Sequence, residues 1–324
     1  MSKEFCLFEV NEKKVIWEVT NFCNYKCKHC CAGASIVDTS KELKLDDFKR
    51  ILKELEKYGI KEIYFSGGEP FSRKDMIDIV SEAVKLGISC NISTNGSLID
   101  NKIARQLKSL GINKVHISLD SHKESIFNDF RGGKYFIPTI KAIKLLKEHD
   151  IYVRVGTVIW SGNINDIDEM IRYLENLNVD EIVFNWLVKV GRSKNNEGIF
   201  VDIDLFDQTV EKIKNKKSKI KISMHRKNKY CNTDEICPGG EDFFYINPQG
   251  YVSPCSWINK LDPKYCSKMS LKDHSFEEII KCNEINEFNK MKRNRNKDYK
   301  SGCPAICLER NGSYNSKDPL LKEE

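Results

Sequence analysis

Strand-like and helix-like segments alternate through the first two-thirds of this chain, and this alternation limits its possible folds more than any other feature. Six short runs rich in β-branched and aromatic residues are predicted strands: residues 15–19, 62–65, 89–93, 114–119, 152–159 and 181–187. The segments between them place apolar residues at helical spacing. Repeated strand–helix units predict parallel strands joined by crossover helices. Six units are too few to close an eight-stranded barrel, so we expect an α/β open sheet or partial barrel, with functional loops at the C-terminal ends of its strands.

The pattern changes after Arg192, and we predict a boundary near residue 200, with domains at 1–200 and 201–324. The second part begins with a helix around residues 205–213 and holds seven of the thirteen cysteines. Two strand-like runs flank residues 247–250, Asn-Pro-Gln-Gly, which is a strong β-turn signal. Ser275 and Glu278 form a capping box that opens a helix continuing to Phe288.

The cysteine content indicates metal chemistry. The N-terminal residues show no basic-then-apolar export signal, and no apolar run approaches the length of a membrane span, so we expect a cytoplasmic protein that does not contact membranes. The cytosol keeps thiols reduced, which makes disulfides a poor explanation for thirteen cysteines. The net charge of +6 includes one dense basic run at residues 290–297. It lacks interleaved aromatic residues, which favours a basic surface over nucleic-acid binding.

Three cysteines, Cys23, Cys27 and Cys30, follow the first predicted strand in a C-x3-C-x2-C arrangement. Three thiolates on one tight loop can bind three irons of a [4Fe–4S] cluster and leave the fourth iron open to another ligand. A structural zinc site would need four ligands, usually in two pairs. The spacing therefore favours an iron–sulfur cluster with one open iron.

A second motif, Gly67-Gly68-Glu69-Pro70, directly follows the second strand. Together with the cysteine triad it resembles the radical SAM superfamily, over residues 14–190. The resemblance implies a partial (β/α)6 barrel core and a cluster that binds S-adenosylmethionine (SAM). It also implies that the glycine backbone and Glu69 receive the methionine amino group, which suits close approach at glycine and a carboxylate–ammonium pair.

Other strand ends match the positions that relatives use for the ribose and carboxylate of SAM. On this ground Thr94, Ser118 and Arg131 are predicted SAM contacts. Val158 and Ile159 are either adenine neighbours or core residues. No residue is assigned a direct catalytic role on the substrate.

A second group of cysteines lies near the C-terminus. Cys237 and Cys255 flank the predicted hairpin, whose ends must lie together, and Cys303 and Cys307 supply two more thiolates. Four cysteines in two pairs suit either zinc or a fully ligated [4Fe–4S] cluster.

The spacing of Cys237, Gly250 and Cys255 is C-x12-G-x4-C, which resembles the opening of the SPASM and Twitch extensions of radical SAM enzymes. The resemblance implies a small cysteine-rich α+β extension with an auxiliary cluster. The later part departs from the full SPASM pattern, which favours one auxiliary [4Fe–4S] cluster. Cys231 is an alternative ligand, and the motif leaves open which of Cys231, Cys303 and Cys307 is left out.

The resemblance also implies an activity. A flavodoxin or ferredoxin would supply the electron that cleaves SAM, and the resulting 5′-deoxyadenosyl radical would abstract a hydrogen atom from the substrate. Family relatives favour a peptide that is crosslinked, epimerised or oxidised. The alternatives are a small molecule, such as an aminoglycoside, tetrapyrrole or nucleotide, and a non-enzymatic metal-stabilised binding module.

Overall fold

The computed structural model describes residues 12–224, 237–299 and 302–319. These residues divide into two compact units. The first unit consists of Tyr25–Cys30 and residues 93–224, and the second consists of residues 12–24, Cys31–Ile92, 237–299 and 302–319. Within these ranges no helix is both long enough and apolar enough to cross a bilayer.

The regular elements alternate along most of the chain. The described strands are β1 (Lys14–Glu18), β2 (Glu62–Ser66), β3 (Ser89–Thr94), β4 (Lys114–Ser118), β5 (Tyr152–Ile159), β6 (Glu181–Trp186), β7 (Lys221–Met224), β8 (Phe243–Ile246) and β9 (Val252–Ser253). The described α-helices are α1 (Leu45–Tyr58), α2 (Met76–Lys85), α3 (Asn101–Ser109), α4 (Glu124–Arg131), α5 (Phe136–Glu148), α6 (Ile167–Asn176), α7 (Ile203–Lys214), α8 (Ser256–Leu261), α9 (Phe276–Ile280), α10 (Asn283–Asp298) and α11 (Pro304–Asn311).

In the first unit, strands β4, β5, β6 and β7 pair in that order, and all of their pairings are parallel. Val155, at the centre of β5, pairs with Ile117 of β4 and Ile182 of β6, and all three side chains are fully buried. Strand β6 is buried on both faces, since the successive residues Ile182 and Val183 are both fully buried, and this is typical of a parallel sheet covered by helices. Helix α6 contributes Met170 and Leu174 to this core.

In the second unit, β2 pairs in parallel with both β3 and β1. Strand β1 pairs on its other side with β8, again in parallel, from Lys14 with Phe243 to Trp17 with Ile246. Strand β9 closes the predicted hairpin against β8 in the antiparallel direction. The cysteine-rich C-terminal segment therefore extends the same sheet that contains the first strand of the chain.

The predicted fold class is confirmed, because the sheet is mostly parallel and is joined by helices. All six predicted strands are present within one residue at each end. The expected single helix from the Ser275 cap to Phe288 is wrong: α9 ends at Ile280, and α10 begins at Asn283. Asn286 donates to the carbonyl of Lys281 at 2.8 Å, which satisfies a carbonyl that the interruption would otherwise leave unpaired. The domain boundary near residue 200 stays a prediction.

Candidate cofactor sites

Gly67 and Gly68 pack against the residues just before Cys23, all in the second unit. The Gly68 N–H donates to Thr20 O at 2.7 Å, and the Glu69 N–H donates to Phe22 O at 2.8 Å. A Cβ added at Gly68 would lie 1.9 Å from Phe22 O, and one at Gly67 would lie 2.6 Å from Thr20 O. The close approach that requires these two glycines is therefore made by the chain's own backbone.

Glu69 is fully buried at the end of this contact. One carboxylate oxygen, Oε1, accepts a hydrogen bond from the Phe71 N–H at 3.1 Å, which caps the following helical turn. Cys23 directly follows Phe22, and its own N–H donates to Ser35 O at 3.0 Å. The motif thus fixes both a buried carboxylate and the backbone leading to the first cysteine.

Cys27 and Cys30 belong to the first unit, where Arg131 and Arg192 hold their loop. The Cys30 N–H donates to Cys27 O at 3.3 Å, which makes a tight turn. Arg192 donates through Nε to Cys27 O at 2.9 Å and through its backbone N–H to Cys30 O at 3.0 Å. Arg131, at the end of α4, donates from Nη1 to the Cys27 sulfur at 3.6 Å.

A buried ion pair lies beside the Cys27 sulfur. Arg131 Nη2 is 2.6 Å from Asp120 Oδ2, and both side chains are almost completely buried. Burial raises the pKa of the Cys27 thiol, and the positive charge of Arg131 acts in the opposite direction. A cation this close favours the thiolate form, which is the form that binds iron. Sequence reasoning missed Asp120 and Arg192, since neither belongs to the cysteine motif.

His29 is neutral at neutral pH. Burial lowers its pKa to about 4, and the carboxylate of Asp120 only partly opposes this shift. The imidazole stacks on Phe130 with 4.3 Å between ring centroids, and Phe130 in turn stacks on Trp160 at 4.0 Å. The loop between Cys27 and Cys30 is therefore fixed by an aromatic stack.

The remaining predicted SAM contacts lie at strand ends of the first unit. Thr94 ends β3 and is buried, and its hydroxyl accepts from the Gly96 N–H at 3.0 Å. Ser118 ends β4 and is half-buried. Val158 is half-buried and packs against the aromatic cluster around Trp160, and Ile159 is buried. Their roles toward SAM stay predictions.

The second cysteine group lies within the second unit. Cys255 precedes α8 as its N-cap, and its sulfur accepts from the Ile258 N–H at 3.4 Å. Cys303 is the N-cap of α11, and Cys307 lies one turn later on the same helix. Cys255 and Cys303 both pack against the apolar cluster that includes Ile258.

The four thiols affect one another electrostatically. Burial and the neighbouring Cys303 raise the pKa of Cys237 to about 11. Burial, Cys303 and Cys237 raise the pKa of Cys255. Burial also raises the pKa of Cys307, where Cys303 adds to the shift. Cys307 is buried and the other three cysteines are half-buried, and their mutual effects indicate that they lie near one another.

Two buried cations from α10 adjoin this group, and sequence reasoning missed them. Arg295 donates from Nη2 to the Cys307 sulfur at 3.4 Å. The charges of Lys292 and Arg295 both act to lower the pKa of Cys237. Helical spacing in the sequence could have revealed them, because both residues fall on the face of α10 that buries Ile285 and Phe288. Within the predicted basic surface of residues 290–297, these two side chains are buried.

Across the described ranges, no three or more His, Cys, Asp or Glu side chains converge closely enough to hold a single metal ion. In a [4Fe–4S] cluster each cysteine binds its own iron, so its ligands need not converge on one point. The alternative ligand Cys231 lies outside the described residues. The ligand roles of all the cysteines stay predictions.

Comparison with known proteins identifies the class of this chain. The model of the radical SAM superfamily matches residues 17–176, and the model of the SPASM iron–sulfur cluster-binding domain matches residues 237–307. The chain belongs to the radical SAM superfamily and contains a SPASM domain.

Relatives of different activities are similar to this chain. The Fe-coproporphyrin III synthase of Methanosarcina barkeri is 35% identical over 211 residues, which cover 62% of this chain and 52% of that protein. The PqqA peptide cyclase of Bradyrhizobium diazoefficiens is 26% identical over 249 residues, which cover 74% of this chain and 66% of that protein. This chain thus spans about half to two-thirds of the length of these relatives. The crystal structure of Streptococcus suis SuiB shares the fold, with a TM-score of 0.74 at 15% identity over 96% of this chain and 77% of that chain.

Proposed function

We propose that this chain reductively cleaves SAM and modifies a peptide. The observation that carries the proposal is the packing of Gly67, Gly68 and buried Glu69 against the backbone that leads into Cys23. It joins the two motifs that the superfamily uses for its cluster and for SAM. When bound, the cluster and SAM supply a 5′-deoxyadenosyl radical that abstracts a hydrogen atom from the substrate.

The proposed roles of the residues follow from their chemistry. Cys23, Cys27 and Cys30 hold the first cluster through three thiolates. The residues fit this role, because Arg131 provides a buried positive charge beside the Cys27 sulfur and Arg192 fixes the carbonyls of Cys27 and Cys30. A charged guanidinium stabilises a thiolate and its anionic cluster in a dry site.

For SAM, the proposed contacts are the backbone of Gly67 and Gly68, the Glu69 carboxylate, Thr94, Ser118 and Arg131. Glu69 suits an ammonium group, because a carboxylate forms charge-assisted hydrogen bonds with a cation, and the Phe71 N–H orients this carboxylate. Arg131 has Asp120 and the Cys27 sulfur among its partners. Its proposed contribution is therefore to position the cluster loop as well as to contact SAM.

One auxiliary [4Fe–4S] cluster is proposed at Cys237, Cys255, Cys303 and Cys307. The proposal is supported by the mutual electrostatic effect of these thiols, by the packing of Cys255 and Cys303 against one apolar cluster and by the match to the SPASM domain. Four thiolates leave no open iron for a substrate, so the proposed role of this cluster is electron transfer. A flavodoxin or ferredoxin is the proposed electron donor.

A peptide substrate is supported by the similarity to the PqqA peptide cyclase. A tetrapyrrole is the second candidate, because a relative with 35% identity is named an Fe-coproporphyrin III synthase.

One experiment distinguishes the two candidate substrates. The reconstituted protein is incubated with SAM, dithionite and either short peptides encoded beside its gene or iron coproporphyrin III. A mass change in a peptide supports the first candidate, and conversion of the porphyrin alone supports the second.

Anaerobic reconstitution tests the cofactor assignment. We expect about eight irons per chain, as two four-iron clusters require, and 5′-deoxyadenosine formed from SAM with dithionite. A Cys23→Ala/Cys27→Ala/Cys30→Ala variant should retain about four irons and form no 5′-deoxyadenosine. Cys90→Ala is the matched control, because its thiol is buried and belongs to neither motif. A colourless protein that forms no 5′-deoxyadenosine would leave the metal-stabilised binding module as the function.

A further inference from the structure

Helix α10 buries two positive charges. Lys292 is 1% exposed and Arg295 is 2% exposed, although both lie in a run of basic residues. Lys290, Arg293 and Lys297 of the same helix are exposed. The helix therefore has an outer basic face and two cations on its inner face. A buried cation is costly unless anions or hydrogen-bond acceptors surround it.

Arg295 is held in one position by several acceptors. Its Nε donates to Tyr314 O at 3.0 Å, and Nη2 donates to Ser316 O at 3.2 Å. Nη2 also donates to the Cys307 sulfur at 3.4 Å. The backbone carbonyls orient the planar guanidinium, and the sulfur atom receives a charge-assisted hydrogen bond.

Lys292 lies on the same face of α10 one turn earlier. Its Nζ donates to Gly239 O at 2.9 Å and forms an ion pair with Glu241 at 2.7 Å. Gly239 is two residues from Cys237, and a Cβ added there would lie 3.4 Å from the Cys237 sulfur. The ammonium group thus adjoins the Cys237 side of the site, with part of its charge offset by Glu241.

We propose that Arg295, and to a smaller extent Lys292, raises the reduction potential of the auxiliary cluster and so makes it a better electron acceptor. The inference rests on the proposed function, which places a cluster at these cysteines. Reduction adds one electron, from the substrate radical or from dithionite, to a cluster that is already anionic with its four thiolates, and no bond forms or breaks. A nearby buried cation stabilises the more negative state, and a hydrogen bond to a ligand sulfur acts in the same direction.

The two cations should differ in effect. Arg295 contacts a ligand sulfur, whereas Lys292 contacts a carbonyl two residues from a ligand and is paired with a carboxylate. Both are positioning residues, since neither is expected to touch the substrate or SAM. A purely structural role would alter stability or iron retention but would not displace the potential of the cluster that remains.

The test is an EPR-monitored redox titration of the reconstituted full-length chain. A Cys23→Ala/Cys27→Ala/Cys30→Ala background removes the first cluster, so that the signal comes from the auxiliary cluster alone. For Arg295→Gln we expect the ratio of reduced to oxidised cluster at a fixed potential to fall about tenfold, equivalent to about 59 mV for a one-electron couple. Lys292→Met should give a smaller shift in the same direction. Arg293→Gln, an exposed charge on the same helix, should leave the midpoint unchanged.

Arg295→Lys keeps the charge but loses the planar fork, so its midpoint should lie between those of the parent and Arg295→Gln. A retained cluster with the parent midpoint in both Arg295→Gln and Lys292→Met would overturn the inference. If Arg295→Gln loses its iron, the midpoint potentials of Lys292→Met and Arg295→Lys test the inference instead. A negative shift of the midpoint supports it, and an unchanged midpoint rejects it. Absence of any cluster in the parent background would instead reject the auxiliary-cluster part of the proposed function.

Discussion

Gly68 shows how a single residue joins two motifs. Its φ is one that any residue can adopt, so the need for glycine at this position comes from crowding alone. The backbone of Phe22 occupies the space that a side chain would need. Gly67 is constrained in both ways, by a φ of 139° and by the carbonyl of Thr20. The tight contact lets the Glu69 N–H reach Phe22 O and sets the position of the next residue, Cys23.

Replacing Gly68 with alanine should therefore separate the two motifs. We expect a loss of about 1–3 kcal/mol in the free energy of unfolding, because overpacked sites force the backbone to move. Iron bound by the first cluster should fall, with little effect on iron at the C-terminal site. Denaturant unfolding and iron content per chain measure the two effects. Gly198→Ala is the control, since a methyl group there would meet no atom within 4 Å. Equal stability and iron content in both variants would contradict the role given to this contact.

At the scale of elements, Glu181 links three neighbouring strands of the first unit. It begins β6, and Arg154 of β5 donates through Nε to its carboxylate at 2.7 Å. Ser223 of β7 donates its hydroxyl to the other carboxylate oxygen, also at 2.7 Å. Burial opposes ionisation of Glu181, but the hydrogen bond from Ser223 and the charge of Arg154 outweigh it and lower the pKa below 4.5.

Glu181→Gln should lower the free energy of unfolding by about 2 kcal/mol at pH 7, because it leaves the half-buried Arg154 without its counter-charge. The lowered pKa means that the unfolded chain binds a proton before the folded chain does. The contribution is therefore complete above pH 4.5 and is lost as the pH falls through the folded-state pKa. The difference between parent and variant should shrink below pH 4.5.

Denaturant unfolding at several pH values measures this dependence. Glu169→Gln is the matched control, since Glu169 forms an exposed ion pair with Arg172 on α6. A variant whose deficit is the same at pH 7 and pH 3.5 would show that packing, and not charge, accounts for the loss.

The sequence alone predicts those helices and strands whose residue pattern lies within a short stretch of the chain. The six predicted strands were found because β-branched runs and helical periods alternate within short windows. Strand β7 was missed, because the lysine-rich segment before it resembles a solvated loop. The break between α9 and α10 was missed because apolar residues continue in helical phase across Cys282. The parallel pairing of β1 with β8 was also missed, since no local pattern records a contact between segments so far apart.

The candidate cofactor sites also contain some residues that the sequence predicts and others that it does not. The candidate cysteine ligands and Glu69 are predictions that follow from motif spacing. Asp120, Arg192, Lys292 and Arg295 were not predicted, because each adjoins a cysteine only after the chain has folded. The sequence marks these residues by a charged side chain at a buried helical position or near the end of a strand. That pattern is weak evidence until the cysteine beside which the residue lies is known.

At the scale of the whole molecule, the distribution of charge bears on the proposed flavodoxin or ferredoxin donor. The chain has a formal net charge of +6, and the exposed cations Lys290, Arg293 and Lys297 share one helix with the two buried cations beside the C-terminal cysteines. A positive surface attracts an acidic flavodoxin and raises the rate of productive encounter at low ionic strength.

Charge reversal at these three positions to glutamate should slow reduction by flavodoxin about tenfold at low salt, with the difference shrinking at high salt as screening increases. Reduction by dithionite should not change. A Lys53→Glu/Lys57→Glu/Lys61→Glu variant is the control, because it alters the net charge equally at other exposed positions. Stopped-flow reduction measures all of these rates. Equal slowing in both variants would attribute the effect to net charge and reject docking at α10.

The pairing of β1 with β8 also has a consequence for synthesis on the ribosome. Lys14 pairs with Phe243, so one edge of the first strand lacks its partner until about 230 further residues have been translated. At about 5–20 residues per second this interval lasts roughly 10–50 s. An unpaired strand edge can pair with other chains, so the nascent protein is open to aggregation throughout that time. The yield of folded protein should therefore depend on chaperones that cover this edge until β8 emerges.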